Sequence, residues 1–213
     1  MISILIPIYN GIEFLNEAIE SVVNQTFKDW EIIIGVNGHP PNSDVFKKAK
    51  TFESTKIKVF DLINVKGKPK ALNKMLEYCN YDWISLLDVD DKWLPDKLDM
   101  QIPYMKDFDV IGTRCKYFGG KTGSPPIPVG DISTFDFFLV NPIINSSCLL
   151  KKELCYWEPE CILEDYDLWL LLRKQNRKFF NVNKICVLHR IHSASAFNNI
   201  NSQYVKSLLI KHK

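Results

Sequence analysis

Short apolar runs alternate with helical patterns through the first 87 residues of the chain, and this alternation limits the possible folds more than any other feature. Between the runs, apolar side chains recur at the spacing of a helix with one buried face. Apolar strands connected by helices pair in parallel and are covered on both faces. The pattern therefore predicts an α/β fold, with an open, mostly parallel twisted sheet and helices on both faces. The predicted strands are residues 2–6, 30–36, 57–60 and 83–87, and the predicted helices are centred on residues 14–23, 45–52 and 71–76.

The remainder of the chain has a looser pattern of elements. Residues 119–130 contain four glycines and three prolines, which is loop composition. Ser133 and Asp136 are expected to cap a short aromatic helix at residues 135–138. The other expected features are a cap of the first helix formed by Asn10 and Glu13, a helix at residues 98–105, strands at residues 110–112 and 143–150, and a helix at residues 164–172.

Length and composition indicate an ordinary globular protein. The chain has 213 residues, of which 46% are hydrophobic and 24% charged, so disorder is not indicated and a substantial core is expected. We expect a single domain at residues 1–195 and a helical tail at residues 196–213. The formal net charge of +2 is too small to indicate a nucleic-acid partner.

Cysteine usage and the start of the chain predict a cytoplasmic location. The six cysteines form no C-x-x-C pair, so free thiols in a reduced compartment are expected. The sequence opens directly on a strand pattern, and no apolar stretch approaches the roughly 18 residues of a membrane span. The amphipathic segment at residues 204–211 is basic at its end. Peripheral contact with a membrane is therefore an alternative for it, but docking on the chain's own domain is favoured.

An acidic tetrad, Asp88-Val89-Asp90-Asp91, follows the apolar run at residues 83–87. Packed carboxylates repel one another and lose hydration unless a cation joins them. Mg²⁺ and Mn²⁺ take oxygen ligands and commonly combine one or two carboxylates with substrate phosphates. In open α/β sheets, ligands bind outside the carboxyl ends of the strands, where this tetrad is expected. The tetrad alone is explained equally well by a metal–diphosphate site and by a solvated turn.

Two further clusters suggest chemistry, and each has a plain structural alternative. Glu164-Asp165 is expected at a helix N-terminus, where a carboxylate stays ionised and can accept a proton. Simple helix capping explains the same two residues. Arg190 and His192 follow the apolar run at residues 185–188 and suit phosphate or divalent-metal binding. A lone pair of this kind is more often solvated surface.

Taken in order, these motifs resemble those of the family-two inverting glycosyltransferases of the GT-A fold. The resemblance covers roughly residues 1–195. The segment at residues 87–98, LDVDDKWLPDKL, is similar to that family's metal-binding segment. The other similar segments are ILIPIYN at residues 4–10, SVVNQTF at 21–27, EDYDLW at 164–169 and RIHSAS at 190–195.

The resemblance implies a metal-dependent, inverting transfer of one sugar from a nucleoside-diphosphate sugar to a hydroxyl acceptor. Residues 1–98 would bind the nucleotide sugar, and residues 99–195 would bind the acceptor and carry the catalytic base, Asp165. Mn²⁺ or Mg²⁺ would be held by Asp90, Asp91 and His192. The residues implied in binding the nucleotide sugar are Pro7, Tyr9, Asn10, Asn37, Lys70, Asp88, Asp90 and Arg190.

One departure from the family pattern affects the identity of the donor. Asn37 stands where the family usually has an aspartate that reads the base. Asparagine both donates and accepts hydrogen bonds, so a UDP-sugar is favoured and a GDP-sugar is the alternative. The acceptor is expected to be a carbohydrate, a lipid-linked sugar or a protein, bound by variable loops such as residues 119–130. The oligomeric state is left open.

Three other functions share parts of this sequence pattern. A non-catalytic domain of the same fold that binds sugar nucleotides or glycans is the main alternative. A phosphatase of the Asp-x-Asp-x-Thr type is disfavoured because position 92 is Lys92. An EF-hand calcium loop is excluded because Trp93 occupies the position that requires glycine.

Overall fold

The computed structural model describes residues 1–193 and 201–213, which form a nine-stranded sheet with helices packed on it. The strands are β1 (Ile2–Ile8), β2 (Trp30–Asn37), β3 (Ile57–Leu62), β4 (Trp83–Leu86), β5 (Lys92–Trp93), β6 (Val110–Gly119), β7 (Gly130–Asp131), β8 (Leu149–Lys151) and β9 (Phe179–Ile191). The helices are α1 (Leu15–Val23), α2 (Asp44–Lys50), α3 (Lys68–Met75), α4 (Lys97–Gln101), α5 (Glu164–Lys174) and α6 (Ser202–His212).

The sheet has the strand order β3-β2-β1-β4-β8-β6-β9-β5, and β7 also pairs with β9. As the apolar runs predict, β3, β2, β1 and β4 pair in parallel. Beyond β4 the sheet is mixed, because β8 lies antiparallel between β4 and β6, while β6 pairs in parallel with β9. β8 is reached through the irregular segment 132–148, and antiparallel strands need no helical crossover. The predicted α/β fold is confirmed, and the expectation of a mostly parallel sheet holds for its first half.

The core lies in two layers, one on each face of the sheet. Alternate residues of β1 divide between them: Ile4 and Ile6 belong to the layer that contains α1 and α2, and Leu5 to the layer that contains α3 and α5. This division follows from the alternation of side chains along a strand. The six cysteines are free thiols, and all except Cys161 are buried. With helices on both faces, the carboxyl ends of β1, β2 and β4 meet at one edge of the sheet.

Two predicted local features are wrong, one inside the irregular segment and one before α1. Residues 135–138 form a turn instead of an aromatic helix, because Asp136 accepts the backbone N–H of Phe138 at 2.9 Å in an Asx-turn. Asn10 does not cap α1, whose N-cap is Phe14 and makes no side-chain hydrogen bond. Asp136 thus shows a short polar side chain with a local alternative to the capping position.

The strand expected at residues 143–150 is also wrong over most of its length. Asn145–Ser147 form a 3-10 turn, in which Ser147 Oγ donates to the backbone oxygen of Ile144 at 2.8 Å. Only Leu149–Lys151 enter the sheet, as β8. The turn brings Asn145 and Ser146 to the acidic tetrad, so this difference from the prediction matters for the site.

Helix α6 lies in the expected tail and docks on α5. Leu208 is buried, and Asp167 on α5 accepts from Lys211 Nζ at 2.8 Å and lies 2.7 Å from His212 Nε2. The predicted limits at residues 195 and 196, together with Ala194 and Ser195 of the last motif, fall outside the described residues. In the part of the chain that the structure describes, every helix is too short or too polar to cross a bilayer.

Lys97 at the start of α4 is buried in a neutral environment. Its ammonium donates to Ser85 Oγ at 3.1 Å and Gln101 Oε1 at 2.8 Å, and lies 3.8 Å from the centre of the Trp93 ring. Burial lowers the pKa of Lys97 to about 7. Between pH 7 and 10 the unfolded chain therefore carries a proton at this position that the folded protein releases.

We expect the free energy of unfolding to depend on pH through Lys97. Since the unfolded state binds more protons, this residue contributes an increase on the order of 1 kcal/mol per pH unit as the pH rises from 7.5 to 8.5. Lys97→Met should remove that increase, whereas Lys106→Met, a change at an exposed position, should retain it. Urea unfolding of the three proteins across this range measures the effect, and equal slopes for Lys97→Met and wild type would contradict it.

Candidate functional site

A crevice with a volume of about 810 Å³ opens at the carboxyl ends of β1, β2 and β4. The ends meet because these strands are parallel neighbours, as is usual for ligand sites in α/β sheets. Asp91, Lys70 and Asp165 lie beyond this lining. The predicted site residues that line the crevice are Pro7, Tyr9, Asn10, Asn37, Asp88, Asp90, Arg190 and His192.

Asp88 is held at the wall of the crevice by hydrogen bonds and an ion pair. Lys68 Nζ lies 2.6 Å from Asp88 Oδ1, and Asn145 Nδ2 donates to both carboxylate oxygens at 3.1 Å. The backbone N–H of Asp88 donates to Ser146 Oγ at 3.1 Å. Burial acts to raise the pKa of Asp88, but the charge of Lys68 and the hydrogen bonds bring the pKa below its ordinary value. Asp88 is therefore an ionised acceptor at neutral pH.

Among the residues that line the crevice, Asp90 and His192 form the pair of potential metal ligands that best suits a cation. His192 Nε2 lies 3.1 Å from Asp90 Oδ2, and both side chains line the crevice. Burial raises the pKa of Asp90, and the charges of Asp91 and Asp88 raise it further. A carboxylate in this setting gains from a nearby cation.

The side chains around Asp90 provide too few ligands to hold a metal ion by themselves. Within residues 1–193 and 201–213, no group of three or more His, Cys, Asp or Glu side chains is arranged to hold a metal ion. Mg²⁺ is commonly bound by one or two carboxylates together with waters and substrate phosphates. The two donors therefore fit a cation whose remaining ligands come with a phosphorylated substrate.

Asp91 lies beneath the crevice and fastens the tetrad to neighbouring elements. Its Oδ2 accepts from Ser146 Oγ at 2.6 Å and lies 2.9 Å from His189 Nδ1, and its Oδ1 accepts the backbone N–H of Arg190 at 2.8 Å. Burial acts to lower the pKa of His189, but the hydrogen bond to Asp91 raises the pKa above its ordinary value. The Asp91 side chain has 0% of its surface exposed, so it differs from the metal ligand expected from the sequence.

Arg190 forms a rigid cationic part of the wall. Its guanidinium carbon lies 4.4 Å from the centres of the Phe14 and Phe118 rings. Arg190 Nε donates to the backbone oxygen of Asp90 at 2.8 Å, and Nη2 lies 3.0 Å from Glu17 Oε2. Stacking between two rings orients the planar guanidinium, so its charge is held in place before any ligand binds.

Tyr9 directly follows the last residue of β1, and Asn37 is the last residue of the neighbouring strand β2. Asn37 is 2% exposed, whereas Tyr9 is 58% exposed. Gly38 has a φ of +76°, and a Cβ atom there would lie 2.8 Å from the Tyr9 ring, so the close approach of the ring requires glycine. An exposed aromatic ring beside a buried amide offers a stacking surface together with hydrogen-bonding groups.

Asp165 is the second residue of α5 and lies inside its first turn, since Leu163 is the N-cap. Asn141 Nδ2 donates to Asp165 Oδ2 at 3.1 Å, and the backbone N–H of Tyr166 donates to Oδ1 at 2.7 Å. Burial raises the pKa of Asp165, and the charge of Glu164 raises it further, to about 6. A carboxylate with this pKa is largely ionised at pH 7 and accepts a proton more readily than an ordinary aspartate.

Lys68 takes the place that the sequence analysis assigns to Lys70. Lys70 Nζ lies 2.5 Å from Glu160 Oε1 in an exposed ion pair, whereas Lys68 lines the crevice. Residues two apart on a helix point to different sides, so only one of the two lysines can face the site. Gly67, with a φ of +93°, and Pro69 mark the helix start at Lys68 and are the signal that favours it.

The other residues missed by sequence reasoning are polar side chains with no motif of their own. They contact predicted site residues only because distant segments meet in the fold. They are Glu17, Asn141, Asn145 and Ser146.

Comparison with known proteins identifies relatives along most of the chain. Residues 3–177 match the family model described as Glycosyl transferase family 2. The chain is 28% identical over 212 residues to a protein of Escherichia coli named UDP-Glc:alpha-D-GlcNAc-diphosphoundecaprenol beta-1,3-glucosyltransferase WfgD, covering 93% of this chain and 80% of the relative. It is 26% identical over 208 residues to the putative teichuronic acid biosynthesis glycosyltransferase TuaG of Bacillus subtilis (strain 168), covering 93% and 82%.

Two solved structures share the fold. TarS 1-349 of S. aureus in complex with UDP-GlcNAc has a TM-score of 0.78 at 15% identity, covering 99% of this chain and 66% of that chain. The mannosyltransferase PcManGT of Pyrobaculum calidifontis in complex with GDP-Man and Mn²⁺ has a TM-score of 0.72 at 13% identity, covering 99% and 62%. These likenesses establish the GT-A fold. Because the family model matches most of its length, the chain belongs to glycosyl transferase family 2.

Proposed function

We propose that the chain is a metal-dependent, inverting glycosyltransferase that moves one sugar from a nucleoside-diphosphate sugar to a hydroxyl group. The observation that carries this proposal is an ion-pair chain through Lys68 that links the carboxylates of the crevice wall to the turn that carries Asp165, just beyond the lining. Asp88 and Asp90 follow β4 and suit a metal–diphosphate complex, while Asp165 has the pKa of a proton acceptor. The two groups are joined through Lys68 and Glu164.

In this proposal Asp90 and His192 hold Mn²⁺ or Mg²⁺ together with the donor diphosphate. The bound cation would neutralise the charge that develops on the leaving diphosphate. Support comes from the two neighbouring metal-ligand side chains, Asp90 and His192, at the crevice. PcManGT, a protein of the same fold, is in complex with GDP-Man and Mn²⁺. Asp91 is proposed as a positioning residue, because both of its carboxylate oxygens accept hydrogen bonds beneath the site.

The nucleoside is proposed to bind at the ends of β1 and β2. The Tyr9 ring would stack on the base and Asn37 would read its edge, with Asp88 near the ribose. Pro7 and Asn10 would border the same pocket. A UDP-sugar is favoured because WfgD is named for UDP-Glc and TarS is in complex with UDP-GlcNAc, and the GDP-Man of PcManGT makes a GDP-sugar the alternative.

Asp165 is proposed to accept the proton of the acceptor hydroxyl. As that oxygen forms a bond to the anomeric carbon, the bond from this carbon to the diphosphate oxygen breaks and its electron pair leaves with the nucleoside diphosphate. Attack on the face opposite the leaving group inverts the configuration. Arg190, stacked between two rings at the crevice wall, contributes positive charge on the leaving-group side.

A lipid-linked sugar is the acceptor proposed first, ahead of a free carbohydrate or a protein. WfgD is named for transfer to a GlcNAc-diphosphoundecaprenol, and it is related to this chain over 93% of the chain's length. The catalytic chemistry proposed for Asp165 requires only a hydroxyl group, so the acceptor class does not affect the roles given above.

Donor binding provides the first test of this function. We expect UDP-Glc, UDP-GlcNAc or GDP-Man to raise the melting temperature by about 5–10 °C at 100-fold excess over Kd, and only when Mn²⁺ is present. The same screen in EDTA is the control. Release of UDP or GDP above a blank without enzyme should follow with the stabilising donor. A melting shift without any release would favour the non-catalytic binding domain, and no shift with any donor would contradict the proposed function.

A further inference from the structure

Lys68 is the residue at which the two groups of carboxylates meet. It is the first residue of α3 and follows Gly67, whose φ of +93° is a conformation that other residues adopt at a cost. Lys68 Nζ lies 2.6 Å from Asp88 Oδ1 and 3.1 Å from Glu164 Oε1. One ammonium group therefore joins the end of β4 to the first turn of α5.

The charge balance around Lys68 shows that this contact is an ion pair at neutral pH. Burial acts to lower the pKa of Lys68, but the charges of Asp88 and Glu164 raise the pKa well above its ordinary value, and Asp165 adds to the effect. Three carboxyl groups thus share the field of one ammonium. Without the Lys68 ammonium, the negative charges of Asp88 and Glu164 would have no positive charge between them to offset their repulsion.

We propose that Lys68 is a positioning residue for the transfer reaction. It couples the donor-binding end of β4 to the turn that carries Asp165. The proposal rests on the function proposed above. Glu164 and Asp165 are consecutive residues, so an ion pair that holds Glu164 also holds the start of α5 and the orientation of Asp165. A catalytic group needs such support, because small displacements of the reacting atoms cost large factors in rate.

Lys68 also acts on the proton affinity of Asp165. The charged and titratable groups near Asp165 are Glu164 and Tyr166 on its own helix, Lys68 on α3, and Cys148 before β8. Burial and Glu164 raise the pKa of Asp165, whereas Lys68 lowers it. Removal of the Lys68 charge should therefore raise the pKa of Asp165, and removal of the Glu164 charge should lower it.

The test uses variants with opposite expected effects. Lys68→Met should move the acid limb of kcat/KM, measured with UDP-Glc and Mn²⁺, upward by about one pH unit, and Glu164→Gln should move it downward. At pH 8.5, where Asp165 is ionised, Lys68→Met should still lower kcat about tenfold because the positioning is lost. Lys68→Arg should restore most of this activity. Lys74→Met is the matched control, since Lys74 is on the same helix and pairs with Glu77 at the surface.

A second readout does not depend on turnover. The side-chain carboxyl ¹³C resonance of Asp165, assigned by its loss in Asp165→Asn, should titrate at a higher pH in Lys68→Met and at a lower pH in Glu164→Gln. An Asp165 titration unchanged in both variants would overturn the inference. If Lys68→Met does not fold, the Glu164→Gln shift and the Lys68→Arg activity decide. If the variants show these shifts but the wild-type protein shows no turnover with any donor, the proposed function alone is overturned.

Discussion

Asp165→Asn is expected to lower kcat for sugar transfer about 100- to 10,000-fold, the range over which a positioned general base contributes. The substitution retains the size of the side chain and removes its ability to accept a proton. Donor affinity should change little, because the residues proposed to bind the donor lie at the ends of β1, β2 and β4. This separation of kcat from donor binding distinguishes a base from a residue that supports the whole site.

The measurement combines steady-state kinetics with donor binding followed by thermal shift. Asp107→Asn, a change at an exposed position after α4, serves as the control and should behave like wild type. In the wild-type enzyme kcat/KM should fall as the pH drops below about 6, because protonation of Asp165 removes the base. Full transfer activity in a folded Asp165→Asn variant would exclude the assignment.

Asp90→Asn is expected to abolish metal-dependent donor binding and to lower kcat/KM about 100-fold or more. The apo protein should be no less stable than wild type. The raised pKa of Asp90 has two causes, burial and repulsion from Asp91 and Asp88, and both are relieved when the charge is removed. Calorimetric titration with Mn²⁺ in the presence of UDP measures the first effect, and urea unfolding of the apo protein measures the second.

Asp91→Asn provides the contrasting variant at the next position. Its carboxylate accepts hydrogen bonds from Ser146 and the backbone of Arg190 and contacts His189, all beneath the crevice. We expect a loss of about 2–4 kcal/mol of stability, because buried donors lose a charged acceptor. If Asp90→Asn instead destabilises the apo protein as much as Asp91→Asn and leaves the Mn²⁺ response intact, the role proposed for Asp90 is wrong.

The first half of the fold follows from local pattern. Apolar runs such as residues 30–36 are long enough to be buried strands, and the helices between them leave parallel pairing as the way to cover both faces. The second half does not follow in the same way. At residues 143–150, apolar and β-branched residues suggest a strand, but the Ser147 hydroxyl bonds to the local backbone in a 3-10 turn at Asn145–Ser147.

The candidate site likewise contains residues that local sequence predicts and residues that it does not. Asp88 and Asp90 could be predicted from the sequence because they follow a recognisable strand, and ligands bind at the ends of such strands. Lys68 and Lys70 are equivalent in residue type and lie in the same short segment. The direction of each side chain depends on where α3 begins, and Gly67 sets that point in the structure.

The sequence was sufficient for the α/β architecture, the crevice residues of the tetrad and the pairing of Arg190 with His192 on one strand end, because each depends on the order and spacing of nearby residues. The roles of Asp91, Lys68 and Asn145 depended on contacts between segments far apart in the chain. Asp91 is buried by β9 and the 3-10 turn, and Lys68 reaches Glu164 only when α3 and α5 pack on the same sheet face. Such contacts arise from packing of the whole core, and the local sequence does not specify which distant segments will meet.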